Sequence, residues 1–317
     1  MSEFITIIIP TFRRQNLFLK CLYSLARQDY EKEKYEVIVV HDGLDCNYDK
    51  QIINPAVTQL KNFRFERIAH GGVSRARNHG IALARGELIL MLDDDCEAEE
   101  DWVRAFVTYM RKHPEVAAAG GTVLSVPPQT FIQRYINFKN LLRKPVHATN
   151  GEVIALITAN ACFRKSIVDK VGGFREELSY SGGEDLDLSY RCRELGALSY
   201  CKEARVYHHH RHSVGGLIKQ HILYGRGVYR ACKLNNIDFK LLKFYDPTFF
   251  GLFKYFYYVL KRIFTVSLPE FKSKNLPLKL YLPYCYLDAV RKIVFIIGAA
   301  IERIQQRSNL NKNSLSN

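Results

Sequence analysis

The sequence contains no CxxC pair: its eight cysteines stand singly at Cys21, Cys46, Cys96, Cys162, Cys192, Cys201, Cys232 and Cys285. That excludes a zinc-ribbon spacing and reads as reduced, mostly buried thiols, not a disulfide framework. No basic segment leads into an apolar stretch and a small-residue cleavage site. The chain enters Phe4-Ile5-Thr6-Ile7-Ile8-Ile9 directly, so a buried strand is expected there and no secretory signal. No apolar run reaches the roughly 18 residues that a spanning helix needs. There is no internal repeat and no low-complexity tract. Gly71-Gly72-Val73-Ser74-Arg75-Ala76-Arg77-Asn78 is neither a Walker loop nor GxGxxG, although a glycine-led helix start with arginines suits a diphosphate. No recognised nucleic-acid module is present.

What is present is a globular composition, 47% hydrophobic and 25% charged, in 317 residues, enough for a large α/β domain with an appendage. The net charge is +14, and its placement is uneven: from Gly216 onward 17 lysines and arginines face five acids. The same region carries the aromatic run Phe249–Arg262 and the aliphatic run Val294–Ile301, the latter preceded by Asp288, Arg291 and Lys292. Basic residues interleaved with aromatics favour an anionic membrane surface over nucleic acid. The alternative is a set of helices packing on the catalytic domain or on a second subunit, as in a homo-oligomer. The polar tail from about 309 is expected to be disordered.

The first half alternates strands (Ile5–Ile9, Tyr35–Val40, Phe63–Ile68, Glu87–Leu92) with helices (Gln15–Arg27, roughly Lys50–Leu60, Val73–Ala84). This rhythm predicts a mostly parallel, Rossmann-like sheet flanked by helices, whose ligands bind beyond the strands' carboxyl ends. Further on, helices are expected at Trp102–Lys112, Phe131–Arg143, Lys165–Val171, Glu184–Glu194 and Val214 to about Asn235. Extended structure is expected at Val116–Val123, Ile154–Phe163 and Ala197–Tyr207. The catalytic domain should span 1–215 and a C-terminal helical region 216–317.

Three segments after strands are distinctive, Pro10-Thr11-Phe12-Arg13-Arg14, His41-Asp42-Gly43 and Asp93-Asp94-Asp95, so acidic and basic residues should converge on one edge of the sheet. Asp93-Asp94-Asp95 repel one another unless a cation neutralises them, and carboxylate oxygens are the ligands of magnesium and manganese. A solvated acidic turn that starts a helix is the other reading. Tyr207-His208-His209-His210-Arg211-His212 places His208 and His210 on one side of an extended chain, where neutral imidazole could ligate a metal or simply hydrogen-bond. Gly182-Gly183-Glu184-Asp185-Leu186-Asp187 puts acids at a helix start, as caps or as a general base, after a glycine pair that permits close backbone approach.

Together and in order, Ile7–Thr11, Val39–Gly43, Ser74–Asn78, Leu92–Asp95, Gly172–Phe174, Gly183–Leu188 and Val206–His208 resemble the family-2 glycosyltransferases, over about the first 215 residues. The resemblance implies the GT-A fold and an inverting, Mn2+- or Mg2+-dependent transfer from a nucleotide sugar, UDP-linked by preference, to a glycan or lipid-linked acceptor. Such a role suits polysaccharide biosynthesis at the cytoplasmic face of a membrane. It also implies residue roles. Pro10, Thr11, Arg13, Asp42, Arg77, Asn78, Asp93 and Asp94 would bind the nucleotide sugar. Asp95, Asp93 and His208 would hold the metal, with His210 a weaker candidate. Asp185 would be the catalytic base, with Glu184 as the fallback. His41 and Leu44 depart from the family's acidic-acidic-Gly-Ser pattern after the second strand, which bears on the choice of base. The rival readings are a sugar-phosphate nucleotidyltransferase and a catalytically degenerate membrane scaffold.

Overall fold

The computed structural model describes residues 4–44, 56–147, 151–178, 182–238 and 277–315, together with 253, 254, 257 and 271. The helix expected near Lys50–Leu60 and the aromatic run Phe249–Arg262 lie largely outside them. The chain divides into two compact units: Met1–Pro127 with Asn140–Ser179 and Glu184–His210, and Pro128–Lys139 with Tyr180–Gly183 and Arg211–Asn317. The division thus falls after His210, and two short upstream segments join the second unit.

The first unit is built on an eight-stranded sheet in the order β3-β2-β1-β4-β9-β6-β10-β5. The strands are β1 (Ile5–Thr11), β2 (Tyr35–Asp42), β3 (Phe63–Ile68), β4 (Leu88–Leu92), β5 (Cys96–Ala98), β6 (Val116–Ser125), β9 (Asn160–Arg164) and β10 (Ala197–His208). A separate two-stranded sheet pairs β7 (Val146–His147) with β8 (Val153–Ala155). β1, β2, β3 and β4 are mutually parallel, as the strand–helix alternation predicts, and β6 and β10 are also parallel. β9 runs antiparallel to both β4 and β6, and β5 antiparallel to β10, so the sheet is mixed. β1, β2 and β4 are buried throughout, the pattern of strands covered on both faces.

The two faces have separate cores. One packs Ile7, Ile9, Val37, Val39 and Leu90 with Phe18 and Leu22 of α1 (Gln15–Ala26) and Trp102, Phe106 and Met110 of α3 (Trp102–Lys112). The other packs Ile8, Ile89, Met91 and Phe163 with residues of α2 (Val73–Leu83), α5 (Lys165–Lys170) and α6 (Glu184–Arg193). Asn160 ties the centre of the sheet: its Nδ2 donates to the carbonyls of Thr122 and Ala204, both at 2.9 Å, and its Oδ1 accepts from Trp102 Nε1 at 2.8 Å. Gly121 makes room for that amide, since a Cβ there would overlap it. This explains Gly121, while a Cβ on its neighbour Gly120 would strike the Pro145 ring.

The second unit contains α4 (Phe131–Lys139), α7 (Val214–Leu234) and α8 (Tyr281–Leu315). α4 stops four residues short of the expected Arg143, because Asn140 and Leu142 take left-handed conformations, φ 50° and 67°. α7 and α8 meet at glycines: a Cβ on Gly225 would strike the Phe295 carbonyl, and one on Gly298 the Ile222 carbonyl. Glu302, buried between them, pairs with Arg226 at 3.2 Å and Arg230 at 3.6 Å. α8 continues to Leu315, helical where the sequence reading expects a disordered tail from about 309. No helix of the described residues is long and apolar enough to cross a membrane.

Candidate active site

The functional side chains of the first unit gather where β1, β2, β4 and β10 end. β1 delivers Pro10 and Thr11, β2 delivers Asp42, and the turn after β4 delivers Asp93, Asp94 and Asp95. β5 follows at once, and its register sets Cys96 opposite His208, the last residue of β10. A three-residue strand leaves little sequence signal, so the acidic stretch after Asp95 reads as a turn rather than as the ladder that fixes His208.

The three aspartates have different partners. Asp94 is 4% exposed; it accepts from Thr11 Oγ1 at 2.7 Å and from Arg14 Nη1 at 3.1 Å. Burial pushes its carboxyl up to about 7, against the pull of Arg14. Asp95 accepts from Arg14 Nη1 at 2.5 Å through Oδ2, while its Oδ1 lies 3.3 Å from His208 Nε2. Asp93 turns the other way and accepts from Arg77 Nη2 at 3.0 Å. Asp93 and Asp95, expected to share one cation, therefore address different neighbours.

Asp95, Cys96 and His208 offer ligand atoms within 4.8 Å of one another. A carboxylate oxygen, a thiol and an imidazole nitrogen at that separation could hold a divalent metal ion. His208 is backed by a second imidazole: its Nδ1 lies 3.0 Å from His210 Nδ1, and His210 Nε2 lies 2.8 Å from Ser125 Oγ. Burial holds the His210 ring down at about 3, so it stays neutral and can orient His208 without adding charge. His209 faces away and pairs with Glu97 at 2.7 Å. The alternation expected of an extended chain is thus observed.

Arg77 is 2% exposed and links two elements. Nη2 reaches Asp93, and Nη1 reaches Glu184 Oε1 at 3.1 Å, tying the start of α6 to the end of β4. Its guanidinium also sits 5.3 Å from the centre of the Phe174 ring. Burial opposes its charge, but Asp93 and Glu184 together hold its pKa above the ordinary value. Burial likewise pushes the Glu184 carboxyl up to about 7, and Asp185 adds to the rise while Arg77 opposes it. Asp185, half-buried, accepts from the Leu186 backbone N–H at 2.8 Å.

Other expected donor contacts are engaged within the fold. Asn78 Nδ2 donates to Phe174 O at 2.8 Å, and its Oδ1 accepts from Phe174 N at 2.8 Å, latching α2 to the Gly172-Gly173-Phe174 turn. Asp42 accepts from the N–H groups of Gly71 and Gly72 at 2.8 and 2.9 Å, shaping the loop that enters α2. Oδ2 also lies 2.9 Å from His70 Nδ1, which leaves Oδ1 as the oxygen with a second lone pair to offer a ligand. Arg13, at φ 55°, lies 4.8 Å from the centre of the half-exposed Phe12 ring, which stacks on His70 at 4.9 Å. Phe12 and Arg14 lie in the segment after β1 that the sequence marks as distinctive, though without a role of their own there, and His70 was not singled out. For Arg14 the available signal was its place after β1, facing an acidic triplet.

In the second unit the glycine pair Gly182-Gly183, φ 99° and 106°, is packed instead of open: Cβ atoms there would strike Tyr224 and Gly227 of α7. The close approach that the sequence suggested for a ligand is made to a helix. That unit also has a cavity of about 370 Å³ lined by Arg211, His212, Ser213, Lys219, Gln220 and Tyr224.

These features coincide with a known family. The sequence model described as "Glycosyl transferase family 2" matches residues 6–172, and the chain belongs to that family. It is a glycosyltransferase of GT-A fold. Among its relatives, glycosyltransferase AglE of Haloferax volcanii is 29% identical over 242 residues, covering 75% of this chain and 77% of that protein. The glucosyl-dolichyl phosphate glucuronosyltransferase of the same organism is 24% identical, over 64% and 68%. Among solved structures, the mannosyltransferase PcManGT of Pyrobaculum calidifontis, in complex with GDP-Man and Mn2+, superposes with a TM-score of 0.65 at 19% identity, covering 96% and 88%. Residues 1–349 of S. aureus TarS with UDP give 0.53 at 18%, covering 95% and 92%.

Proposed function

We propose that this enzyme transfers a sugar from a nucleoside diphosphate, uridine diphosphate by preference, to a hydroxyl of a lipid-linked or growing glycan, with inversion at the anomeric carbon. The observation that carries the reading is the Arg77 bridge. By holding Glu184 and Asp93 on one guanidinium, it keeps the first turn of α6, and with it Asp185, beside the acidic end of β4.

Asp185 is the general base: it takes the acceptor hydroxyl proton as the oxygen attacks the anomeric carbon and the sugar–phosphate bond breaks. Glu184, buried and engaged by Arg77, keeps that base in place. Asp95 and His208 would hold a divalent cation, Mn2+ or Mg2+, which offsets negative charge on the diphosphate leaving group. The complex of PcManGT with Mn2+ supports this assignment by analogy of fold. Pro10, Thr11, Arg13 and Asp42, around the Phe12–His70 stack, form the side on which a nucleobase would be received. Asp93 lies on the ribose side. Arg77, Asn78 and Asp94 act through the architecture of the pocket.

The names of two relatives favour a lipid-linked acceptor. Relatives in Haloferax volcanii and Methanococcus voltae are named for transfer to dolichyl phosphate sugars. The test is a screen of nucleotide sugars for binding and donor hydrolysis, with and without manganese, on wild type and Asp95→Ala. Metal-dependent release of one nucleoside diphosphate, lost in the variant, is expected. Failure to bind any nucleotide sugar would overturn the reading in favour of a non-catalytic scaffold.

A further inference from the structure

α8 carries an apolar stripe that is exposed among the described residues. Leu282, Tyr286, Ile297, Ile301 and Ile304 are exposed, Leu282 by 58% and Tyr286 and Ile304 by 67% each. Val290 and Ile293 between them are half-buried. The spacing is 4, 4, 3, 4, 4, 3, two successive 11-residue repeats. Eleven residues at 3.6 per turn overshoot three turns by only about 20°, so such a stripe runs nearly straight along a helix. From Leu282 to Ile304 it extends roughly 33 Å. A straight stripe of that length matches a flat surface.

The charges beside it choose the surface. Both acids of α8 are turned inward and neutralised: Asp288, 8% exposed, by Arg291 at 2.8 Å and Lys292 at 2.6 Å, and Glu302, 3% exposed, by Arg226 and Arg230. Lys279 and Arg307, at the two ends of the stripe, are exposed. Nearby in sequence Phe253, Lys254 and Tyr257 are exposed as well. A second copy of this helix would bring basic ends against basic ends or leave them unmatched. An anionic bilayer matches both the apolar stripe and its charge.

We propose that the Leu282–Ile304 face of α8 lies in the headgroup region of an anionic membrane, holding the enzyme on the surface without crossing it. The proposal does not depend on the donor or acceptor assignment, since binding is read without turnover. The experiment is co-sedimentation of the full chain with vesicles of phosphatidylcholine alone and of phosphatidylcholine mixed with phosphatidylglycerol. Wild type should pellet with the mixed vesicles and be released by salt. Tyr286→Glu/Ile297→Glu/Ile304→Glu, on solvent-facing positions, should abolish pelleting while circular dichroism stays unchanged. Lys279→Glu/Arg307→Glu, which keeps the stripe, should weaken it by roughly tenfold or more. Equal pelleting of wild type and the triple variant would overturn the proposal. So would a dimer in sedimentation velocity that the triple variant dissolves, because the stripe would then be a contact between copies.

Discussion

Arg77 is a buried cation held between carboxylates, one from the end of β4 and one from the start of α6. Removing it would leave Glu184 buried without its counter-ion, so Arg77→Ala should destabilise the fold by about 3 kcal/mol, read by urea unfolding. The Glu184 carboxyl, pushed up to about 7, gives a second expectation. The folded state holds this proton more tightly than the unfolded chain does. Its stabilising contribution is therefore full below the ordinary glutamate range and is lost as pH rises through about 7. Thermal stability should fall between pH 5 and pH 8, and Glu184→Gln should flatten that fall; an unchanged slope would show that other groups dominate. Asp185 carries the catalytic expectation. Asp185→Asn should lower turnover by roughly 10²–10⁴-fold while donor affinity by calorimetry stays near wild type. Near-normal turnover would move the base elsewhere.

At the scale of elements, the helix pairs are set by backbone contact. α7 and α8 approach through Gly225 and Gly298, where a methyl group would meet a carbonyl of the facing helix. Gly225→Ala should therefore lower stability by about 1–3 kcal/mol through forced separation, measured by thermal melting, although alanine is the better helix former. The elements most legible in the sequence were those with a repeated physical signal. The all-apolar strands β1, β2 and β4 announced a sheet covered on both faces, and the buried positions Trp102, Val103, Phe106, Val107 and Met110 of α3 kept helical spacing. β9 was harder to read. It appeared as one extended stretch from Ile154 to Phe163, but the chain breaks there into β8 and β9. Nothing local in Asn160–Arg164 specifies that it runs antiparallel to both neighbours; that follows from the pairing partners. β5 was not read at all, because three residues cannot display a period.

For the molecule as a whole, the acidic triplet, the histidine run and the Glu-Asp pair were legible as chemistry, and all three meet at one edge of the sheet in the first unit. Their division of labour was not legible. That Asp93 faces Arg77 and Asp95 faces His208 depends on the turn after β4, and Arg14 enters only because β1 ends alongside. One prediction belongs to this scale. If Asp95 and His208 are the ligands, Mn2+ binding measured by calorimetry should be lost in Asp95→Ala and in His208→Ala. In His210→Ala it should weaken by roughly 10–100-fold, through loss of the ring that orients His208. Retained affinity in all three would remove the metal from this corner.

β10 lies between β6 and β5 in the sheet and is the last strand in the described chain. Its final residue, His208, stands opposite Cys96, more than a hundred residues earlier in the sequence. The order of synthesis therefore becomes an order of assembly. A nascent chain that has delivered the three aspartates still lacks the imidazole that Asp95 faces, and the gap beside β6 stays open until β10 is inserted. The corner of the site formed by Asp95 and His208 is completed by the last strand of the described residues, so an unfinished first unit would present Asp95 without its facing histidine.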